Sequence, residues 1–376
     1  MSFRYAAGIN KPGYNPLAAP SLVYNLFSWG NNDFGQLGLN AAGNVSSPTQ
    51  IGSLTDWYSI SGGQYTTASV KTDGTLWTWG LNDYGELGIG NTTNYSSPKQ
   101  VGNLTNWSKV SLGARFTVAI KTDGTLWGWG KNQSGQVGLG NTNYYSSPKQ
   151  VGALTTWLQI SCGYNYTTAI RTDGTLWSWG ANPYGQLGNS TTTNYSSPIQ
   201  VGALTTWSKI ACNGNATFAI KTDGTLWAWG YNLYGQLGLG NVTYYSSPKQ
   251  VGALTNWSVL GYGMGSDFVV SVKTNGTLWS WGRNQNGQLG LGTSGTYTAK
   301  SSPTQVGALT NWSKVSLNTL STASIKTDGT LWTWGKNNWG QLGLGNATYY
   351  SSPKQVGVST TWSYIGCGSA ASFALG

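Results

Sequence analysis

Any covalent chemistry in this 376-residue chain would fall to ten carboxylates, three thiols and 20 basic side chains, because histidine is absent. That excludes Ser-His-Asp triads, His-ligated metals and most general acid-base schemes. Asp83 and Glu86 share one loop, and Asp33 occupies the slot equivalent to Asp83 one unit earlier. A carboxylate pair of this kind cleaves glycosides only when one partner is buried enough to stay protonated, and a loop between strands seldom buries an acid. Cys162, Cys212 and Cys367 are odd in number and recur in one slot, just after a strand ending in Ile. They read as small buried residues, neither a disulfide framework nor a metal site. The Gly-rich runs lack the Lys-Ser/Thr of a phosphate loop. The expectation is a protein without catalytic residue, cofactor or metal.

Recognition chemistry is better represented. Phe34, Tyr84, Tyr184, Tyr234 and Trp339 occupy one equivalent loop slot, Arg115 and Tyr164 come from a second loop, and Lys336 stands beside Trp339. Tyr, Trp and Arg concentrate binding energy because they bring large contact area at little entropic cost. These eight residues are the candidate binding face, for a protein or a surface glycan. The competing reading makes them aromatic lids over strand ends. Of the 21 tryptophans, Trp339 alone lies outside a repeated scaffold slot.

What positions these loops is a repeat. Trp-Gly pairs have their Trp at 29, 79, 129, 179, 229, 281 and 334, which makes seven units. Each reads close to T-L-W-x-W-G-x-N-x-x-G-Q-L-G-L-G-N, then Y-S-S-P-x-Q-V-G-x-L-T-x-W, a T-x-A-I run and K-T-D-G. Units of this length cannot bury their apolar faces alone and must stack. Strands are expected at 75–79, 100–104, 107–111 and 116–120, with Asp-Gly or Asn-Gly as a hairpin turn between the last strand of one unit and the next Leu-Trp run. Four-stranded antiparallel sheets repeated radially give an all-β, seven-bladed propeller over residues 22–376. The N-terminal strand at 25–30 should join strands from 354–376 to close the ring. Residues 1–21, with Pro12, Pro16 and Pro20, form an extended arm that docks on another protein or frays.

The motif W-G-x-N-x-x-G-Q-L-G-L-G followed by P-x-Q-V and a small-residue strand resembles the regulator of chromosome condensation repeat, over residues 26–376. Members commonly carry His-Thr at the start of the last strand. Here that slot holds Thr66, Phe116, Tyr166, Ala216, Phe268, Ser321 and Ala371. Tryptophan-based ultraviolet sensing within the family needs a G-W-R-H-T signature, and so a histidine. The near-identical repeats and the wealth of Asn, Thr, Ser, Gly and Tyr are similar to bacteriophage surface proteins, which implies a non-enzymatic virion appendage or decoration protein at the virion surface. The resemblance also implies two alternatives: guanine-nucleotide exchange on a Ran-type small GTPase, or enzyme inhibition by the loop face. Exchange would call for inserted loops, and the extra residues here number only two or three in units five and six.

The net charge is +10. Lys71, Lys121, Arg171, Lys221, Lys273 and Lys326 are expected to ring the Asp-Gly face, offset by the acids two residues on, while Lys109, Lys209 and Lys314 read as evenly spaced solubility charges. No sequence-specific nucleic-acid binding is expected. Neither a signal peptide nor an 18-residue apolar run is present, so no membrane insertion is expected, and a location away from the virion would be the cytoplasm.

Overall fold

Each repeat folds as a strand quartet because its segments differ in how many faces they must bury. The computed structural model describes residues 24–295 and 297–376, and these form 28 strands in seven four-stranded antiparallel sheets. In the second blade the order is Trp107–Leu112, Phe116–Lys121, Leu126–Gly130, Tyr145–Gln150. Phe116–Lys121 is buried along its whole length, as a strand must be when neighbouring blades cover both of its faces. Trp107–Leu112 and its equivalents contact one another from blade to blade in a closed circuit, so they are the innermost strands and line the axis.

The outermost strand departs from the sequence expectation. It is Tyr95–Gln100 rather than 100–104, and Val101, just past its end, makes the last bond to the sheet by donating its N–H to the Leu76 carbonyl. The apolar Val101 and Leu104 suggested a strand, but the position is an edge. There the polar Y-S-S-P-K-Q pairs with a register irregularity that accommodates Pro98, which has no N–H to offer the ladder.

The ring closes with two strands from each end. Val45–Gln50, Leu26–Gly30, Ala371–Leu375 and Tyr364–Cys367 form the last sheet in that order, with Leu26 opposite Leu375 and Gly30 opposite Ala371. The expected contribution from residue 354 is corrected: Tyr350–Gln355 is the outer strand of the preceding blade. The expected arm, residues 1–21, lies outside the described residues.

Blades are joined by one repeated clamp. The indole of the Trp-Gly tryptophan donates to the backbone carbonyl of the Gln-slot residue one blade back: Trp79 to Gln36 at 2.9 Å, Trp129 to Glu86 at 2.9 Å, Trp229 to Gln186 at 2.9 Å. A threonine hydroxyl from the same blade shares that carbonyl, as Thr117 does with Glu86 at 2.7 Å. Only glycine fits beside the indole. A Cβ on Gly88 would lie 2.5 Å from Trp129 Nε1, at a φ of +74° that L-residues avoid. In six blades the L-T-x-W tryptophan meets two others, as Trp107 meets Trp127 edge-on at 6.1 Å and Trp129 at 6.0 Å, and in the closing blade Phe27 replaces one of them against Trp362. Such pairs add about 0.5–1.5 kcal/mol each beyond area burial.

Candidate functional site

The x-N-x-x-G loops are built by side chains that substitute for missing ladder partners. Asn82 accepts from the Leu87 N–H at 2.9 Å and donates to the Asn91 carbonyl at 3.0 Å, pinning both ends of the loop. The Gln-slot side chain accepts from the N–H of the residue in the aromatic slot, as Gln36 does from Phe34, Gln186 from Tyr184 and Gln341 from Trp339. The second loop abuts the first, for Lys131 N–H bonds to the Arg115 carbonyl and Leu81 N–H to that of Tyr65. Both variable loops therefore share one face, and the L-T-x-W turns and Asp-Gly hairpins share the other, where Thr122 N–H bonds to the Asn106 carbonyl.

The eight candidate residues do not converge on one point. Phe34 packs on Tyr65 of the next blade at 4.8 Å, and the Arg115 guanidinium lies over Tyr65 at 5.5 Å and Tyr84 at 5.9 Å. Arg115 also reaches Asp83 at 3.1 Å, and Tyr84 is flanked by Tyr144 and Lys131. This is one continuous patch. A second forms where Tyr184 meets Tyr231 and Tyr244, at 4.9 and 5.7 Å. Tyr234 sits under Arg283 at 5.1 Å, and Lys336 covers Trp339 at 4.9 Å. Tyr164 stands apart near the axis, its hydroxyl 3.3 Å from Gln64 Nε2 two blades away. Tyr84, Tyr184, Tyr234 and Trp339 are half-buried, so they cover seams between blades as well as facing solvent.

Two features escaped the sequence reading. Tyr297 is 99% exposed on the longest loop of this face, raised by a turn in which Thr298 bonds to Gly295 and Asn284. The signal was the short insertion G-T-S-G-T-Y-T in place of G-N-x-x-x-Y. The other is Glu86, expected to be solvated. Its side chain is 1% exposed, because it stands in the slot that holds Gln in the other six units and plugs the seam behind Arg115. One carboxylate oxygen accepts from the Tyr84 N–H at 2.8 Å, while Oε1 has no hydrogen-bond partner and Arg115 is 3.9 Å away. Burial pushes the Glu86 carboxyl up from 4.5 to about 7. Asp83 is exposed and tied to Arg115, so the two acids face a cation rather than a substrate cleft.

The Asp-Gly face also differs from expectation. Its lysines are enclosed, not displayed: Lys121 lies between Trp127 at 3.8 Å and Trp107 at 5.0 Å, and Lys273 between Trp279 at 3.5 Å and Trp257 at 4.7 Å. The turn acids cap threonines, and among them Asp173 also comes within 3.9 Å of Arg171. Asp123 accepts from both the N–H and hydroxyl of Thr125, which hold its carboxyl below the usual range. The three cysteines are free and buried, and burial pushes the Cys162 thiol up to about 12. Among the described residues no group of three His, Cys, Asp or Glu could hold a metal, and no helix is long and apolar enough to cross a membrane.

A family model described as an RCC1-like domain matches residues 25–374. The ultraviolet-B receptor UVR8 of Arabidopsis thaliana is 37% identical over 86 residues, 22% of this chain and 19% of that one. Protein RCC2 of Mus musculus is 39% identical over 79 residues, 20% of this chain and 15% of that one. The aligned segments thus span about a fifth or less of those relatives. Among solved structures, Prp20p from Saccharomyces cerevisiae superposes with a TM-score of 0.84 at 19% identity, covering 95% of this chain and 92% of that one. Human WBSCR16 gives 0.82 at 22%, covering 94% and 98%. At these identities the likeness is one of fold. The Prp20p structure is described with its binding to Gsp1p and histones, and another shows yeast RCC1 bound by Kap60. These matches overturn the expectation of a virion appendage and lend no support to a virion-surface location. The composition that suggested it is what the repeat's own architecture requires: Asn pins each loop, Gly takes the positive φ, and Thr or Ser closes six of the seven seams, Val269 standing in the other.

Proposed function

Because the chain belongs to the RCC1-like domain family, we propose that it is a protein-binding regulator whose partner is a Ran-type small GTPase and whose effect is release of the bound nucleotide. The observation that carries this reading is the Arg115 patch: a guanidinium held between two tyrosines and an exposed Asp83, on the face where two independent loops of each blade vary. Aromatic and Arg groups fixed by their own scaffold meet a protein surface with little ordering cost. The fold neighbours that bind Gsp1p and Kap60 support a protein partner. Tyr297 supplies the projecting element that loop lengths alone did not reveal.

The test is release of a fluorescent guanine diphosphate from a Ran-type GTPase with the full chain added, run beside gel filtration of the mixture. Acceleration together with co-elution is the expected result. Arg115→Ala and Tyr84→Ala should each weaken capture at least about tenfold, the scale of a truncated anchor, and Lys221→Ala should not. Neither co-elution nor acceleration at high chain concentration would sink the proposal.

A further inference from the structure

A cavity of about 360 Å³ opens on the loop face where the closing blade meets the first blade, and Asp33, Phe34, Asn40, Asn94 and Ser96 line it. Two exchanges of residue create it. Beside the aromatic-slot residues Tyr84 and Tyr184, the next blade supplies Tyr144 and Tyr244, which pack edge-on at 5.4 and 5.7 Å and fill the space. The equivalent position beside Phe34 holds Asn94, a much smaller side chain. The other exchange is Asn40. Five units place glycine in its slot, and Asn40 keeps a positive φ of +55° while its N–H bonds to the Ser96 carbonyl at 2.8 Å. Asparagine is one of the few residues that tolerate this backbone, and here it sets an amide at the cavity.

Phe34 is also the aromatic-slot residue that its own chain leaves uncovered. Arg115 and Lys131 lie over Tyr84, Arg283 over Tyr234 and Lys336 over Trp339, while Tyr184 is flanked by two tyrosines. Phe34 rests on Tyr65, carries no cation among the described residues, and is 37% exposed. The groups around it have hydrogen-bonding capacity to spare. Asp33 Oδ2 accepts from Asn31 Nδ2 at 2.8 Å, and Asn94 Oδ1 accepts from the Asn82 N–H at 2.7 Å. That leaves Asp33 Oδ1, Asn94 Nδ2 and the whole Asn40 amide without a partner among the described residues. An aromatic face bordered by amides and a carboxylate matches a sugar ring, which presents C–H groups on its face and hydroxyls at its edge. Among the described residues Asp33 is the sole charge lining the cavity, so a neutral sugar fits and an anionic one is repelled. A single carboxylate binds a sugar without cleaving it, since glycoside cleavage takes two.

We propose that this cavity binds one neutral hexose unit, stacked on Phe34 and hydrogen-bonded by Asp33, Asn40 and Asn94. The site lies beside the Arg115 patch but does not use Arg115, and it stands whether or not a GTPase binds there.

The experiment is saturation-transfer NMR of the full chain with free glucose, galactose and mannose and, in a second arm, with their methyl β-glycosides; sialic acid is the anionic control. At least one neutral hexose should bind saturably, with a Kd on the order of 1 mM, and sialic acid should not bind. Binding of the glycosides as well supports the end of a glycan as the ligand, and binding of the free sugars alone supports a free hexose. Asn94→Tyr refills the cavity as Tyr144 does beside Tyr84, and should abolish binding. Phe34→Ala should weaken it at least about tenfold and Asn40→Gly about fivefold. Asn40→Gly restores the residue of five other units and should leave the melting temperature unchanged or higher. Absence of saturable binding by every neutral hexose would overturn the proposal, as would preferential binding of sialic acid or undiminished binding by Asn94→Tyr. The wild-type arm decides even if a variant fails to fold.

Discussion

Glu86→Gln should stabilise the protein at neutral and alkaline pH and leave it unchanged in acid. The substitution restores the side chain of the other six units, keeps an acceptor for the Tyr84 N–H, and replaces a buried ionisable carboxyl with a neutral amide whose nitrogen is left unpartnered, as it is at Gln136, Gln186, Gln236 and Gln288. The folded chain holds the Glu86 proton up to about pH 7, whereas the ordinary value is 4.5. Between those values the folded state binds more protons than the unfolded one. Stability must therefore fall as pH rises through that window, and stay lower above it. At about 1.4 kcal/mol per pKa unit, the shift is worth about 3 kcal/mol once the acid is ionised. Urea unfolding of wild type and Glu86→Gln at pH 4, 6 and 8 measures it directly. The curves should coincide at pH 4, and the variant should lead by up to about 3 kcal/mol at pH 8. Identical pH dependence of the two proteins would refute the argument, since nothing else differs between them.

Other outcomes follow from the seams and the ring. Gly88→Ala should destabilise by more than about 2 kcal/mol, seen in urea unfolding, because its Cβ collides with the Trp129 indole at a positive φ. Trp129→Phe, which removes the indole's bond to the Glu86 carbonyl, should cost about 1–3 kcal/mol in the same assay. Lys121→Ala should lower stability by about 1–2 kcal/mol through loss of its place between Trp107 and Trp127, while capture of a partner on the opposite face is unchanged. Removing residues 1–50 takes two strands from the closing blade and should produce light scattering and a lower melting temperature; an unaltered monomer would contradict the closure.

The blade count, the hairpin turns and the opposed faces were legible because they rest on local signals repeated seven times. A Trp-Gly strand or an Asp-Gly turn reads the same wherever it stands. The outer strand misled because Val101 and Leu104 are apolar for a different reason: Val101 fills the seam, whereas Leu104 is an exposed turn residue. What pattern could not show was which slots meet across blades. Gln36 and its equivalents looked like part of a polar loop, yet each holds a seam, which is why Glu86 reads as solvated until its neighbours are placed. In the same way, a lysine every hundred residues or so resembles scattered surface charge, and only strand pairing shows that Lys109, Lys209 and Lys314 share one register position on inner strands, each donating to a carbonyl of the next blade.

The two-plus-two closing blade sets an order of events during synthesis. Leu26–Gly30 and Val45–Gln50 emerge early as a hairpin, but the free edge of Leu26–Gly30 pairs with Ala371–Leu375, so about 350 residues separate the two partners in the chain. At ribosomal rates of about 5–20 residues per second, the first hairpin waits roughly 20–70 s with one strand edge unsatisfied. The six intervening blades are each contiguous in sequence and can form as they appear, while the join between the ends is the least local contact in the molecule and hence the slow one. A nascent chain would thus be most exposed to pairing with its neighbours on the same message just before the final strands leave the ribosome.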